Sequence, residues 1–391
     1  MWNETAIQSK TPRSKQIPSE FRRIVIARPK VNSDTAKTVC LVMIVKDEAA
    51  VIRRCLESVK SLIDYWIICD TGSTDETPRI IQETLARIPG ELHDSPWKDF
   101  GHNRTLALKL ARGKADYHLL IDADMTLNTP ADFRAALAAD AYLVRYTGPK
   151  DYWVERVVSD RHEWEYVGSA HEYLRPQTAQ TRVKLGDVTV THHGDGGCQR
   201  GKIERYLALL KQGLEAEPDN SRHVFYIAES YRDLGNFPQA IEWYEKRVTM
   251  GGWDEEVWYS LYQVARLQHR LGVAWPLVLD AYLRAFEFRP MRIEPVFHVA
   301  KFYRENQQYH LGYLFSRVVV DTPYPDDVLF IERSIYEYEL PMEYAICCYW
   351  LGEYKEAIRV SDAILARAND IPEEFLETAR KNRQSSLEAM P

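Results

Sequence analysis

The segment YHLLIDAD, residues 117–124, places an apolar run directly before two aspartates. The apolar run predicts a strand, and Asp122 and Asp124 follow where that strand ends. Residues two apart on a strand point the same way, so both carboxylates would project into one crevice. Two hard oxygen ligands suit Mg²⁺ or Mn²⁺ that holds a diphosphate. A lone D-x-D tripeptide is common in turns, so its meaning depends on its neighbours.

Short apolar strands alternate with amphipathic helices over the first half of the chain. TVCLVMIV, residues 38–45, is apolar on both faces, which predicts a central parallel strand. YWIIC, residues 65–69, predicts a second strand. Helices are predicted over residues 47–62 and 101–112, and another is predicted to start at about Thr74. This alternation predicts an α/β sheet whose sites lie at the carboxyl ends of its strands.

Polar residues also follow the other predicted strands. Asp70 opens the turn DTGSTD, and it could accept hydrogen bonds from a base or a ribose. The later residues of that turn could simply cap the next helix. Asp47 and Glu48 follow the first strand, and for Asp47 we favour a role in the first turn of the following helix. Arg104 opens the helix before the D-x-D strand, where it is either a surface residue or a contact to phosphate or base.

The second half of the chain contains an internal helical repeat. The pattern A-x-x-Y-x-x-x-G-x-F-x-x-A, beginning at Ala228, can be laid over A-x-x-C-x-x-x-G-x-Y-x-x-A, beginning at Ala345. Weaker copies begin at Ala265 and Ala300. Small residues allow close helix packing and aromatic residues fill the space between helices, as in the tetratricopeptide repeat of about 34 residues. Residues 202–216 are predicted to form a first, capping helix.

Composition restricts the class of protein. The 391 residues are 45% hydrophobic and carry a net charge of −7, which argues against a nucleic-acid partner. No apolar run has the length of a membrane span, and the six cysteines lack metal-ligand spacing, which predicts a cytoplasmic protein with reduced thiols. Residues 1–37 are basic and predict a flexible tail; the alternative is an arm that contacts an acidic membrane surface or an anionic acceptor.

Taken together, these motifs resemble family 2 glycosyltransferases of the A-type fold. V-K-D-E, D-T-G-S-T-D, a tryptophan, N-R on a helix and L-L-I-D-A-D follow one another as in that family over roughly residues 38–195. With the C-terminal repeats, the chain is similar to a bacterial subgroup that includes the sublancin-type peptide S-glycosyltransferases. The resemblance implies an A-type catalytic domain over residues 38–200 and a tetratricopeptide-like domain over residues 201–391.

The resemblance also implies a UDP-sugar donor and a divalent metal, Mn²⁺ or Mg²⁺. The residues implied for the donor are Val45 and Glu48 near the uridine, Asp70 at the uracil, Arg104 on the nucleotide, Asp122 at the ribose and Asp124 on the metal. Two departures stand out. Asp47 replaces the usual asparagine, and H-N-R replaces the usual A-R-N, so either Asn103 or Arg104 makes the nucleotide contact.

Two further segments carry candidate residues. YVGSAHE, residues 166–172, resembles the G-x-x-H-E segment of this subgroup, which makes Glu172 the candidate base for the acceptor proton. Asp151 is its rival, and the alternative is a His–Glu pair that ties strands together. In THHGDGG, His193 or His192 is a candidate third metal ligand, and the alternative is a flexible hinge between the domains.

The predicted function is therefore an inverting, metal-dependent transfer from a UDP-sugar to a peptide, protein or glycan acceptor. The repeats would present the acceptor, pair two subunits as a homodimer, or do both. Aromatic residues before position 170 could line the sugar and acceptor groove, although ordinary packing is the alternative. Two other classes stay open: a non-catalytic peptide-binding adaptor, and a nucleotidyltransferase. The latter prefers a glycine-rich phosphate loop, whereas residues 42–47 contain no glycine.

Overall fold

The computed structural model describes residues 37–129, 132–147, 152–168, 172–196 and 201–390. A mixed sheet flanked by helices comes first, and a series of helices follows it. The predicted architecture, an α/β domain followed by an all-helical repeat domain, is confirmed. The predicted tail lies outside the described residues except for Lys37. None of the described helices has both the length and the apolar character needed to cross a membrane.

The main sheet has eight strands in the order β3-β2-β1-β4-β7-β6-β10-β5, and β8 pairs with β9 in a separate hairpin. The strands β3, β2, β1 and β4 run parallel, β7 is antiparallel to both of its neighbours, and β10 is parallel to β6. The bounds are β1 (Val39–Val45), β2 (Tyr65–Asp70), β3 (Gly90–Asp94), β4 (Tyr117–Leu120), β5 (Met125–Asn128), β6 (Ala141–Tyr146), β7 (Tyr152–Ser159), β8 (Trp164–Val167), β9 (Tyr173–Pro176) and β10 (Arg182–His192).

Helices cover both faces of the parallel half, which is why β1 is apolar throughout. Alternate residues of β1 enter two separate cores: Leu41 and Met43 pack with α1 and α2, and Cys40 and Val42 pack with α3. The helices are α1 (Ile52–Val59), α2 (Thr77–Thr84) and α3 (Phe100–Ala111). A 3₁₀ turn lies at Phe133–Ala136.

Two predicted helix starts are wrong. The helix predicted from residue 47 begins only at Ile52, because Asp47 has a left-handed φ of 52° and is engaged by the loop after β2. The helix predicted from about Thr74 begins at Thr77, where Asp75 accepts hydrogen bonds from the Thr77 amide and hydroxyl. In both cases a side chain bonds to a neighbouring backbone instead of continuing the helix.

The second domain consists of antiparallel helix pairs. The pairs are α5 with α6, α7 with α8, α9 with α10, and α11 with α12, and each pair includes one of the four predicted repeat copies. The bounds are α4 (Lys202–Ala216), α5 (Ser221–Asp233), α6 (Phe237–Met250), α7 (Asp254–Arg270), α8 (Trp275–Phe288), α9 (Glu294–Glu305), α10 (Tyr309–Val319), α11 (Leu340–Trp350), α12 (Tyr354–Leu365) and α13 (Glu373–Ala389). A π-helical turn, Ile335–Glu339, precedes α11.

Candidate active site

The donor edge, as we call the carboxyl ends of β2, β1 and β4, gathers the predicted donor residues. Val45 at the end of β1 lies in register with Asp70 at the end of β2. The Val45 side chain packs in the apolar core, and its carbonyl accepts hydrogen bonds from the Thr71 amide at 2.9 Å and the Thr71 hydroxyl at 3.1 Å. One Asp70 oxygen, Oδ1, accepts hydrogen bonds from the amides of Gly72 and Ser73 at 3.0 and 2.8 Å. Asp70 therefore also shapes the loop that it begins.

The loops after β1 and β2 are tied together at this edge. Oδ1 of Asp47 accepts a hydrogen bond from the Thr74 amide at 2.7 Å, and the Asp47 amide donates to the Ser73 hydroxyl at 2.9 Å. The Glu48 amide donates to the Thr77 hydroxyl at 2.7 Å. Asp47 thus joins two loops, which corrects its predicted role in the first turn of the next helix.

The chain after β10 folds back onto the donor edge. A Cβ atom at Gly196 would lie 3.0 and 3.1 Å from the two carboxylate oxygens of Glu48, and 3.4 Å from Cβ of Asp124. Arg54 holds the neighbouring Asp195 with two hydrogen bonds of 2.9 and 2.7 Å. Glu48 and Asp124 therefore lie on either side of one glycine, which leaves room between their carboxylates and the returning chain.

Asp124 faces one of the two candidate histidines. Its Oδ2 atom lies 3.0 Å from Nε2 of His192, whereas Nε2 of His193 lies 3.0 Å from the Thr126 hydroxyl. His193 contacts Asp124 through its backbone: the His193 amide donates to the Asp124 carbonyl at 3.0 Å. The geometry therefore favours His192 over His193 as a partner of Asp124 in metal binding.

The donors present suit a shared metal better than a closed protein site. Among the described residues, no group of three or more His, Cys, Asp and Glu side chains is arranged to hold a metal ion. Asp124 and His192 supply two donors, and Mg²⁺ is commonly held by one or two protein ligands together with substrate phosphates and water. These residues consequently fit a metal that binds with the donor diphosphate.

Arg104 joins Asp122 to Glu172. Its Nη2 atom donates to Oδ1 of Asp122 at 2.5 Å, and its Nε atom lies 2.6 Å from Oε1 of Glu172. The Nε–H bond is not directed at that oxygen, so the second contact is an ion pair without a hydrogen bond. Arg156 approaches Asp122 from the other side, with 3.6 Å between Nη2 and Oδ2.

Burial and charge act in opposite directions on the two carboxylates. Burial alone would raise the pKa of Asp122, but Arg104 and Arg156 lower this pKa to about 2, so Asp122 is ionised. Burial raises the pKa of Glu172, and Arg104 offsets only part of that effect. A carboxylate with a raised pKa is the better proton acceptor. Asp151, the rival candidate base, lies outside the described residues.

The Asn103 side chain stabilises the loop before α3. It is fully buried, and its amide nitrogen donates to the Ser95 hydroxyl at 3.0 Å and to the Pro96 carbonyl at 3.1 Å. Its amide oxygen accepts from the Lys98 amide at 3.0 Å. Because these bonds commit the Asn103 side chain to the loop before α3, Arg104 is the better candidate of the two for the predicted nucleotide contact.

Helix α3 lies close to the β8 hairpin, which places Arg104 beside Glu172. A Cβ atom at Gly101 would overlap the carbonyl oxygen of Gly168, so only glycine fits there. The Tyr166 amide donates to the Thr105 hydroxyl at 2.9 Å, and the Arg104 guanidinium lies 5.7 Å from the centre of the Tyr166 ring. Helix α3 therefore carries Arg104 and packs against the β8 hairpin, next to which Glu172 lies.

A cleft of about 1250 Å³ opens between the two domains beside this cluster. We call it the interdomain cleft. Arg104, Asp122, Arg156 and Glu172 line one end of it. Much of the remaining wall comes from β7, β8 and β9 in the first domain and from α4, α5, α7 and residues 328–330 in the second. A substrate in this cleft would contact both domains.

Two site residues carry no motif and were missed by the sequence analysis. Arg156 has a weak signal, since a charged residue in the apolar strand WVERVV calls for a buried partner. Gly196 has none, because its role depends on contact with Glu48, 148 positions earlier in the chain.

Parts of the chain are similar to known proteins. Residues 40–207 match the model of glycosyl transferase family 2. A TPR repeat-containing protein of Synechococcus elongatus is 28% identical over 316 residues, which cover 72% of this chain and 75% of that protein. The SPbeta prophage-derived glycosyltransferase SunS of Bacillus subtilis is 25% identical over 235 residues, which cover 55% of this chain and 54% of SunS. The chain thus spans about half the length of SunS.

Solved structures of tetratricopeptide repeat proteins are also similar to part of this chain. A tetratricopeptide repeat protein from Parabacteroides merdae covers 48% of this chain at 16% identity, with a TM-score of 0.36, and 68% of that chain is matched. The family match and the sequence relatives, by contrast, show that the protein is a glycosyltransferase. In particular, it joins a family 2 glycosyltransferase domain to tetratricopeptide-like repeats.

Proposed function

We propose that the protein transfers a sugar from a UDP-sugar to a peptide, protein or glycan acceptor, with inversion at the anomeric carbon and with the help of Mn²⁺ or Mg²⁺. The observation that carries this proposal is the bridge made by Arg104. The arginine pairs with Asp122 at the donor edge and with Glu172 at the end of the interdomain cleft. A donor site and a proton acceptor therefore adjoin each other.

The donor half of the proposal uses the residues of the donor edge. Asp70 and Glu48 would receive the uridine, Asp122 the ribose, and Arg104 the nucleotide phosphates. Asp124 and His192 would hold the metal. A bound divalent cation neutralises the charge that develops on a leaving diphosphate, and such electrostatic stabilisation is usually the largest contribution to catalysis.

The transfer step is a single displacement. The acceptor hydroxyl or thiol attacks the anomeric carbon, and its proton passes to the Glu172 carboxylate. The bond between the anomeric carbon and the diphosphate oxygen breaks on the opposite face, and UDP leaves with the electron pair. The raised pKa of Glu172, which follows from its burial, suits a group that accepts this proton.

Titration of UDP with the purified protein tests the donor half. We expect the wild type to bind UDP in the presence of Mn²⁺ and much more weakly without it. We expect Asp124→Ala to lose the effect of Mn²⁺, because one of the two protein donors is gone. A wild type that does not bind UDP under either condition would exclude the proposed donor.

A further inference from the structure

A long connection in the repeat domain reaches the catalytic domain. We call residues 320–332 the bridging segment; it joins α10 to the turn before α11, whereas the helices within each pair are joined by three or four residues. The Trp153 amide of β7 donates to the Val328 carbonyl at 2.9 Å, and Lys184 Nζ of β10 donates to the Asp326 carbonyl at 2.8 Å. The bridging segment thus fastens the repeats to the sheet beside the interdomain cleft.

Buried charges hold the backbone of this segment. One carboxylate oxygen of Glu255 accepts hydrogen bonds from the amides of Val328 and Leu329, both at 2.8 Å. The Arg292 guanidinium donates to the Leu329 carbonyl at 3.1 Å and to the Phe330 carbonyl at 3.0 Å. Arg292 is fully buried. Glu255 and Arg292 therefore hold the backbone of residues 328–330 in place.

Phe330 has an unfavourable backbone conformation. Its φ of 45° is left-handed, a region that bulky residues rarely adopt and that persists only where the surroundings enforce it. The hydrogen bonds that Arg292 donates to the Phe330 carbonyl and that Glu255 accepts from the Leu329 amide hold the backbone in this conformation. The side chain is held as well, because the Phe330 ring packs on the Tyr259 ring of α7 with 5.0 Å between centroids.

The Phe330 ring also begins a series of aromatic contacts that runs from the interdomain cleft into the core of the first domain. It meets the Tyr152 ring edge to face, with 5.6 Å between centroids, and Tyr152 stacks on Tyr146 at 4.6 Å. The Tyr146 hydroxyl accepts a hydrogen bond from Arg156, which faces Asp122. Phe330 and Tyr152 are half-buried and both line the cleft. Phe330 and Tyr152 therefore form an apolar patch on the cleft wall, and the buried Tyr146 connects this patch to Arg156 beside Asp122.

The charges of the cleft favour some acceptors over others. All five arginines among its lining residues pair with carboxylates of the protein: Arg104, Arg156, Arg182, Arg222 and Arg289. Asp219 and Asp254 also line it, and these exposed carboxylates form no ion pair with any described residue. The uncompensated charge is negative, which repels phosphorylated or carboxylated glycans and attracts cationic side chains.

We propose that the interdomain cleft binds a peptide acceptor and that Phe330 is a specificity-determining contact, which packs with Tyr152 against an apolar side chain beside the residue that receives the sugar. The inference rests on the proposed function, whose acceptor it narrows to a peptide. A phenylalanine ring offers no hydrogen bond, so it selects for apolar surface. The acidic rim then selects for lysine or arginine elsewhere in the same peptide.

Fluorescence anisotropy with labelled peptides tests this inference without a donor. The probes are 12-residue peptides with a central Ser or Cys and terminal lysines, whose central residue is flanked by Phe, Asn or Glu. We expect the wild type to prefer the Phe-flanked peptides by about tenfold or more, the scale of hydrophobic discrimination in a pocket. We expect Phe330→Ala to reduce that preference to less than threefold.

Two further variants distinguish a direct contact between Phe330 and the peptide from a structural effect of the substitution. Phe330→Gly removes the ring and relieves the left-handed strain, so it should lose the preference as Phe330→Ala does while unfolding at a higher temperature than Phe330→Ala. Trp350→Ala removes an exposed ring that does not line the cleft, and should keep the preference. Equal preference in the wild type and both Phe330 variants, or no binding of any peptide, would overturn the inference.

The UDP titration distinguishes this inference from the proposed function. Peptide preference that depends on Phe330 together with an absence of UDP binding would remove the proposed donor and leave the peptide site. The protein could instead bind UDP and transfer sugar to oligosaccharides but bind no peptide. That result would contradict the peptide site and support the proposed transferase activity.

Discussion

At the scale of single residues, Arg104 is the side chain on which most of the site depends. It is the nearest cation to both Asp122 and Glu172, and its own side chain is only 14% exposed. Sequence analysis identified it as one of two alternatives, since the motif H-N-R places Asn103 and Arg104 side by side. The fully engaged amide of Asn103 makes Arg104 the better candidate of the two.

The pH dependence of transfer should report on Arg104. Arg104 lowers the pKa of Glu172 against the effect of burial, so Arg104→Gln should raise that pKa further. A base works only when it is deprotonated, so the acid limb of the profile of kcat/KM against pH should move to higher pH. Glu172→Gln should lack this limb and most of the activity. An acid limb at the same pH in Arg104→Gln and wild type would argue against Glu172 as the base.

The two adjacent histidines offer a matched comparison. His192 contacts the Asp124 carboxylate, whereas the His193 ring contacts Thr126. We expect His192→Ala to raise the Mn²⁺ concentration needed for half-maximal UDP binding by about tenfold, and His193→Ala to raise it much less. The measurement is a Mn²⁺ titration at fixed UDP. The reverse ranking would assign the metal to His193.

At the scale of elements, the position of α3 relative to the β8 hairpin determines the site. Arg104 stands on α3, and Glu172 directly precedes β9, the partner strand of β8, so any shift between helix and hairpin separates the ion pair. Gly101 allows the close approach because it has no Cβ atom to overlap the Gly168 carbonyl. Helix α3 was predicted within one residue of its ends, but its partner across this contact was not predicted.

Substitution at Gly101 should disturb this contact. Gly101→Ala places a methyl group against backbone that has little freedom to move, so we expect it to lower the free energy of unfolding by about 1–3 kcal/mol and to reduce transfer. Gly186→Ala is the control, since nothing lies within 4 Å of its Cβ position. Urea denaturation and the transfer rate check both. A Gly101→Ala protein with unchanged stability and rate would contradict the assigned role.

At the scale of the whole molecule, the two domains together form the interdomain cleft. The Phe100 ring packs on Tyr206 of α4 with 5.3 Å between centroids, and the bridging segment bonds to β7 and β10. The repeat domain therefore contributes to the wall of the interdomain cleft. Presentation of the acceptor by the repeats stays a prediction. The homodimer and the cytoplasmic location stay predictions.

Removal of the charge that holds the bridging segment should destabilise the molecule. Arg292→Met leaves the buried carboxylates of Glu294 and Asp327 without this partner, a change that commonly costs about 3–5 kcal/mol. Arg317→Met removes an exposed ion pair with Asp321 and should leave stability nearly unchanged. Chemical denaturation compares the two. Equal stabilities would show that the Arg292 network does not hold the segment.

The sequence by itself determined the features that depend on local pattern. An apolar strand followed by D-A-D predicts a strand end with two carboxylates, because strand periodicity is a property of neighbouring residues. The helix pairs could be predicted for the same reason, because each copy of the repeat pattern lies within one pair. Only the tertiary structure decided the choice of His192, the meeting of Arg104 with Glu172, and the entry of Phe330 into the cleft. These contacts join residues 68 or more positions apart, as for His192 and Asp124, and no local periodicity encodes them.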